Sequence, residues 1–301
     1  RHAVMWVESA CMSGFLIHHN LTVGLSWCEA LALADSLRPM PLHGAICSAV
    51  RVGTGGTVCM WVLLLLGIVL VLTAGLLFGR VLTSPLRPTV AFWWHITWFY
   101  CKVWFRFRRE GPCTVPSDGP VIIVANHTSS IDPLLLISGT PHRVPAFLIA
   151  KEYSAVPVFG GLTRMLECIP VRRDGTDVAG TKAALRHLKA GKALGIFIEG
   201  RIARPGEVLP PKDGAALLAL RTRAVVVPAH ISGTVYDNHV GRSFFRRHRA
   251  RVRFGEPLDL DAWRSSQTDP SSLAEVSTLL LNRIRELGRA GDAPKGLDRG
   301  S

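Results

Sequence analysis

The 301-residue chain lacks several patterns that would assign it to a common class of enzyme or binding protein. No G-x-S-x-G sequence is present, which argues against a serine hydrolase built on a nucleophile elbow. The seven cysteines form no C-x-x-C pair and the histidines lack the spacing of zinc ligands, so no metal site is expected. No internal repeat is visible, so the chain is not a repeat protein.

Acidic residues are scarce, since 22 Asp and Glu stand against 35 Lys and Arg and give a formal net charge of +13. The chain is nevertheless 48% hydrophobic, with a mean hydropathy of +0.26 and a pI of about 10.0. This combination suits attachment to a membrane of anionic phospholipids. Nucleic acid is the other usual partner of such charge, but no DNA- or RNA-binding motif is present, so we expect no nucleic-acid partner.

One long segment, residues 56–79, contains no charged residue and lies between Arg51 and Arg80. As a helix it would span roughly 36 Å, more than the ~30 Å hydrocarbon core of a bilayer. We predict a transmembrane helix here, preceded by an uncertain N-terminal extension at residues 1–55. A signal peptide fits less well because the run is long and no clear small-residue cleavage site follows.

The N-terminal extension shows no steady periodicity and is hard to interpret. Four of the seven cysteines precede Met60, and Met60 stands at the head of the apolar run. We hypothesise that a product beginning at Met60 would be a complete enzyme. If the extension is native, its scattered cysteines favour free thiols over a disulfide framework.

The segment after the apolar run is rich in cations and aromatic side chains. By the positive-inside rule its cations place the rest of the chain in the cytoplasm, at the inner membrane if the cell is bacterial; they are Arg80, Arg87, Lys102, Arg106, Arg108 and Arg109. Residues 89–109 predict an interfacial helix at the headgroup level, with an ordinary core helix as the alternative. Residues 242–253 are also basic and aromatic, and either contact membrane or phosphate or form a solvated loop.

Apolar runs and helical stretches alternate along residues 110–289. Strands are predicted near 121–125, 146–150, 169–171, 193–198, 225–231 and 251–254, with helices from Pro133 and at 178–190, 214–223 and 272–287. This order predicts an α/β domain whose largely parallel sheet is flanked by helices. Residues 290–301 are expected to form a flexible tail.

The candidate catalytic pair, His127 and Asp132, follows the first of these apolar strands. Residues five apart on a regular helix point about 140° away from each other, so the two side chains can meet only if the chain turns between them. An imidazole can then take a proton from a hydroxyl while the carboxylate orients it. The alternative is that Asp132 caps the helix beginning near Pro133 and His127 is a loop residue.

Four sequence blocks extend this pattern. They are Asn126-His-x-x-x-x-Asp132; Lys151-Glu-Tyr with 157–161 and 169–174; Ile196-Phe-Ile-Glu199-Gly200-Arg201; and residues 225–233. In this order they resemble the motifs of the glycerolipid acyltransferases, typified by 1-acylglycerol-3-phosphate acyltransferase, over roughly residues 92–260. The chain departs from the common form at Arg201, which directly follows Gly200 without an intervening threonine.

The resemblance implies transfer of a fatty acyl chain from acyl-CoA or acyl carrier protein to the sn-2 hydroxyl of lysophosphatidate, without a cofactor. It implies that His127 is the base and Asp132 its orienting group. Arg172 and Arg201, with Lys151 as a weaker candidate, would bind the acceptor phosphate, because arginine pairs bidentately with phosphate. Glu199 and Gly200 would help to hold the acceptor, although Gly200 also suits a plain strand-ending turn.

Other interpretations remain open at this level. Each of the three cations could be a solvated surface charge. A related acyltransferase could act on another lysophospholipid, on glycerol 3-phosphate or on an ornithine lipid. The chain could also be an inactive membrane-binding scaffold, although the intact His127 and Asp132 argue against it.

Overall fold

The computed structural model describes residues 42–154, 157–172, 177–237, 240–266 and 269–292. The chain divides into two compact units, Arg1–Val71 and Leu72–Ser301. Of the predicted extension 1–55, the described part contains only the residues from Leu42 onward, which are helical. Most of the segment that precedes Met60 lies outside the described residues, so the hypothesis of a start at Met60 stays a prediction. The predicted tail 290–301 begins too early, because the last helix continues to Asp292. The rest of that tail and residues Arg173 and Asp174 of the second block lie outside the described residues.

The first helix, α1, runs from Leu42 to Leu82 and contains the predicted span 56–79. Within it, Cys59–Leu82 has a mean hydropathy of 2.8 and is long and apolar enough to cross a membrane. Most of its large apolar side chains are exposed, from 48% for Val62 to 71% for Val71. Length, composition and exposure together indicate an association with membrane.

The second helix, α2, spans Pro88–Trp104 and begins with proline in its first turn, where a missing N–H is tolerated. The predicted helix 89–109 is therefore too long. Phe105 caps the helix, and Arg106 has a φ of 47°, which ends it. The chain then becomes strand β1, Arg108–Glu110, which pairs in parallel with residues 251–253.

The remaining elements follow in chain order. They are β2 (Val121–Ala125), α3 (Asp132–Gly139), β3 (Ala146–Ala150), α4 (Lys151–Ser154), α5 (Pro157–Met165), β4 (Ile169–Val171), α6 (Val178–Lys189), β5 (Ala193–Phe197), α7 (Gly214–Thr222), β6 (Val225–Ser232), α8 (Val240–Phe245), β7 (Arg251–Phe254), a 3-10 helix (Asp261–Ser266) and α9 (Pro270–Asp292).

Within the described residues, the strands form a seven-stranded sheet in the order β1-β7-β6-β2-β5-β3-β4. Every neighbouring pair is parallel except β6 and β7, so the predicted α/β fold with a largely parallel sheet is confirmed. In the register, Ala125 at the end of β2 lies opposite Phe197 of β5 and Ala229 of β6. The carboxyl ends of these three strands therefore meet at one edge, where sites of α/β proteins form.

Strand β2 is buried along its whole length and supplies both faces of the core. Ile122 and Val124 pack in one apolar cluster with residues of α6, α7 and α9. Val121, Ile123 and Ala125 pack in the other, with residues of α2 and α3. Since successive side chains of a strand point to opposite faces, a helical layer on each side explains why this strand is continuously apolar.

Candidate active site

The site begins where Asn126 ends the pairing of β2 with β6. Its side-chain Nδ2 donates to the carbonyl oxygen of Ile231 at 2.9 Å, and its Oδ1 accepts from the N–H of Ile231 at 2.8 Å. The amide thus takes the place of a backbone partner, which lets the main chain leave the sheet at His127. Sequence reasoning gave Asn126 no role, and its only signal was its place directly before the histidine.

His127 and Asp132 are brought together by a tight turn. His127 Nδ1 lies 3.0 Å from Asp132 Oδ2, and the same oxygen accepts from the N–H groups of Thr128 at 2.7 Å and Ser129 at 2.8 Å. The carboxylate is fully buried, whereas the His127 side chain is 15% exposed. Asp132 therefore bonds residues that precede it and closes the turn, so the alternative of a simple helix cap is wrong.

Glu199, two residues after the neighbouring strand β5, holds the backbone of His127. Its Oε2 accepts from the His127 N–H at 3.0 Å, and the N–H of Ala203 donates to the His127 carbonyl at 3.0 Å. Burial raises the pKa of the Glu199 carboxyl above its usual value, and the hydrogen bond from His127 partly opposes that rise. The segment after β5 thus fixes the main chain of His127.

Phe197 lies against the face of the His127 imidazole. The ring centroids are 3.9 Å apart and the planes differ by 11°. Phe147 stacks behind Phe197 at 5.9 Å and 15°. Sequence reasoning missed this contact, because Phe197 lies beside His127 only through the register of β5 on β2.

Gly200 and Arg201 form the turn after β5. Gly200 has a φ of 70°, and a Cβ there would lie 3.2 Å from Lys212 Cγ, so the turn favours glycine. Arg201 is half exposed and binds both carboxylate oxygens of Glu207, with Nη1 at 2.9 Å from Oε2. These hydrogen bonds lower the pKa of Glu207 to about 2. The Arg201 guanidinium is therefore already paired with the Glu207 carboxylate.

Arg172 and Lys151 lie further along the same edge, with exposed side chains. Arg172 follows β4, three strands from β2, or roughly 14 Å at normal strand spacing. Lys151 follows β3, two strands away, or roughly 10 Å. The Arg172 N–H donates to Asp177 at 2.7 Å, and Asp177 caps α6. Thus the structure joins His127, Asp132 and Glu199 directly and leaves these two cations apart.

An apolar groove lies between α2, α3 and α5. Its lining includes Trp93, Trp94, Leu134, Ile137, Leu162 and Leu166. Trp94 Nε1 donates to the Ile137 carbonyl at 2.8 Å, which fixes α2 against α3. One wall of the groove is α3, the helix that begins with Asp132.

Comparison with known proteins agrees with this geometry. Residues 106–232 match the sequence model of the family described as Acyltransferase. The match covers 127 of the 301 residues of the chain. The region matched by this acyltransferase domain includes the catalytic turn and the block from Ile196 to Arg201, so the expectation of an acyltransferase enzyme is confirmed.

Three of the proteins that this chain resembles are named for one reaction. The 1-acyl-sn-glycerol-3-phosphate acyltransferase of Bacillus subtilis is 28% identical over 58% of this chain and 83% of the relative. The chloroplast enzyme LPAT1 of Arabidopsis thaliana is 28% identical over 53% of this chain, which spans only 48% of that relative's length. The crystal structure of PlsC, the 1-acyl-sn-glycerophosphate acyltransferase of Thermotoga maritima, is 23% identical with a TM-score of 0.55, covering 75% of this chain and 91% of that one. It shares the fold.

Proposed function

We propose that the chain transfers a fatty acyl group from acyl-CoA or acyl carrier protein to the sn-2 hydroxyl of lysophosphatidate, giving phosphatidate. The observation that carries the proposal is the hydrogen bond of 3.0 Å between His127 and a fully buried Asp132 at the end of β2. The names of the Bacillus and Arabidopsis relatives support this acceptor.

The pair fixes the direction of proton transfer. Because the Asp132 carboxylate accepts from Nδ1–H, the other ring nitrogen, Nε2, carries a lone pair. The acceptor hydroxyl gives its proton to Nε2 while its oxygen forms a C–O bond with the thioester carbonyl carbon. The C–S bond then breaks and the departing thiolate takes the proton from the imidazolium. No covalent bond to the enzyme and no cofactor is required.

The surroundings of His127 favour the charged imidazolium that forms during this step. The buried carboxylate lies on one side of the ring, and the π face of Phe197 lies 3.9 Å beneath it. Both attract positive charge. Since Asn126, Glu199 and Ala203 hold the main chain, the ring needs little rearrangement before reaction.

The acceptor phosphate is assigned to Arg201 and Arg172, with Lys151 as a further cation. Arg201 already presents its two terminal nitrogens, Nη1 and Nη2, to the Glu207 carboxylate, and a phosphate offers a similar pair of oxygens. We infer that lysophosphatidate competes with Glu207 for this fork. Glu199 and Gly200 hold the protein backbone next to the hydroxyl of the lysophosphatidate acceptor. The apolar groove receives an acyl chain of the lipid.

Membrane attachment would bring this acceptor to the site. We assign α1 as the membrane span and α2 to the headgroup level, with the domain in the cytoplasm. An exposed apolar stripe supports the placement of α2, since Phe92, Ile96, Phe99 and Val103 follow the i, i+4, i+7, i+11 spacing and are 41–63% exposed. A lysolipid could then enter the groove from the bilayer surface.

The test is transfer of a labelled acyl chain by membranes that contain the native chain or His127→Ala. Acyl-CoA and acyl carrier protein are supplied separately, with lysophosphatidate and a panel of other lysophospholipids, glycerol 3-phosphate and ornithine lipid. Native membranes should acylate lysophosphatidate, and the variant should be about 10³-fold slower. Transfer only to another acceptor would contradict the assignment, and no transfer to any would favour an inactive scaffold.

A further inference from the structure

A short segment after β6 carries positive charge together with an exposed aromatic ring. Residues 240–249 include four arginines and no acidic residue. The arginines are all exposed; they are Arg242, Arg246, Arg247 and Arg249. Phe245 is 79% exposed, more than any large apolar side chain of the α1 span, where Val71 reaches 71%. We call residues 240–249, which comprise the short helix α8 and the turn after it, the Phe245 loop.

The Phe245 loop is held from inside by buried contacts. His248 is 4% exposed, accepts from the Val235 N–H at 3.1 Å and bonds the Ser243 carbonyl at 3.1 Å. Its ring packs edge-on against Phe105, with centroids 5.1 Å apart. These contacts fix the conformation of the Phe245 loop, in which the Phe245 side chain is exposed to solvent.

The loop continues the surface of α2. Tyr100 donates its hydroxyl hydrogen to the Phe244 carbonyl, and the Arg247 guanidinium lies 4.6 Å from the centroid of Trp104. The neighbouring residues of α2 include exposed Phe99 and Val103, at 63% and 55%, and exposed Lys102. An apolar stripe and a basic loop, more than a hundred residues apart in sequence, thus adjoin each other.

We propose that the Phe245 loop is a second contact with an anionic bilayer, in which Phe245 enters the headgroup region and the flanking arginines bind lipid phosphates. Aromatic side chains with cations around them suit this depth, and arginine pairs bidentately with phosphate. An acidic protein would match the arginines but not the adjoining apolar stripe. The inference rests on the membrane attachment in the proposed function, and it is independent of which lipid is the acceptor.

The experiment uses the full chain in phosphatidylcholine vesicles with or without phosphatidylglycerol. A photoreactive benzoylphenylalanine replaces Phe245, and in separate proteins it replaces Phe99 on α2 or Val225 at the opposite edge of the sheet. We expect lipid cross-links from positions 245 and 99 but not from 225. Removing phosphatidylglycerol, or combining Arg242→Glu with Arg246→Glu, should lower the yield at 245 by roughly an order of magnitude.

The matched charge control combines Arg186→Glu with Lys189→Glu on α6, both exposed, and should leave the yield at 245 unchanged. Cross-links at 99 but not at 245 overturn the inference and leave the proposed attachment of α2 intact. Loss of lipid cross-links at both positions overturns the attachment as well. Equal yields in neutral vesicles, or cross-links from 245 to added acyl carrier protein instead of lipid, also overturn the inference.

Discussion

The edge at which the parallel strands end is built differently at the inner strands, β2 and β5, and at the outer strands, β3 and β4. At β2 and β5 the groups are buried or tied by hydrogen bonds, as the fully buried Asp132 and the Glu199 bond to His127 show. At β3 and β4 the edge carries the exposed Lys151 and Arg172. Folding thus fixes the geometry proposed for proton transfer, whereas the two cations of the outer strands have exposed side chains. The acceptor could change without disturbing the catalytic turn.

The difference has an energetic cause. The buried Asp132 carboxylate holds three partners at Oδ2, and leaving such a charge wholly unpaired would cost several kcal/mol. An exposed arginine keeps its water and loses little when it moves. The inner edge can therefore be rigid and the outer edge adaptable.

The largest effect should come from Asp132→Asn at the inner edge. The amide oxygen would take the place of Oδ2, which meets Nδ1–H and two backbone N–H groups, so the negative charge that stabilises the imidazolium would be lost and the hydrogen bonds would weaken. We expect kcat to fall about 10³-fold. Folding stability should fall by about 2 kcal/mol, since the buried oxygen accepts from two backbone N–H groups. Single-turnover acyl transfer and thermal unfolding measure the two effects.

The control is Asp177→Asn at the outer edge. Asn also caps helices and keeps the bond to the Gly180 N–H, but it cannot accept from the Arg172 N–H as well, so turnover should change far less than in Asp132→Asn. If Asp132→Asn retained native turnover, the proposed base would be wrong.

The next effect concerns the arginines assigned to the acceptor phosphate, Arg201 after β5 and Arg172 after β4. Arg201→Ala should raise the KM for lysophosphatidate about tenfold or more with a smaller change in kcat, because a bidentate phosphate contact is lost. Arg172→Ala should act in the same direction. A zwitterionic lysolipid should tolerate both changes, and Arg221→Ala on α7 is the control. Unchanged acceptor affinity and turnover in both variants would remove the phosphate assignment.

A smaller effect is expected for Phe197→Leu. The ring face beneath the imidazole should be worth about 1 kcal/mol to the imidazolium, so kcat should fall roughly fivefold while KM stays similar. Phe147→Leu, which removes the ring behind Phe197, should change kcat less. Steady-state kinetics on both variants separate the two positions, and equal losses would mean that the rings act only by packing.

The smallest effect is on stability and depends on pH. Burial raises the pKa of Glu199, so the folded state binds its proton more tightly than the unfolded chain does. The stabilisation is present below the usual value of 4.5 and is lost as the pH rises through the raised pKa. Glu199→Gln should therefore raise the melting temperature at neutral pH and not at acid pH. Unfolding followed from about pH 4 to about pH 8 tests this, and a constant difference across that range would contradict it.

Local patterns allowed much of the fold to be predicted, and β7 has the bounds expected. Strand β1 was missed because Arg-Arg-Glu has no apolar alternation and becomes a strand only by pairing with residues 251–253. The same pairing explains why the interfacial helix was drawn too long. At the site, the turn joining His127 and Asp132 could be predicted because both residues lie in one short segment.

The sequence by itself therefore determined the apolar span in α1, the alternation of strands and helices, and the candidate base with its carboxylate, since each depends on neighbouring residues. Only the tertiary structure decided which groups hold that base. Asn126 reaches Ile231 across 105 residues, and Glu199 reaches the His127 N–H across 72. The stacking of Phe197 under the imidazole likewise follows from strand register. Such contacts are set by the order and register of strands, which hydrophobic periodicity along one chain does not specify.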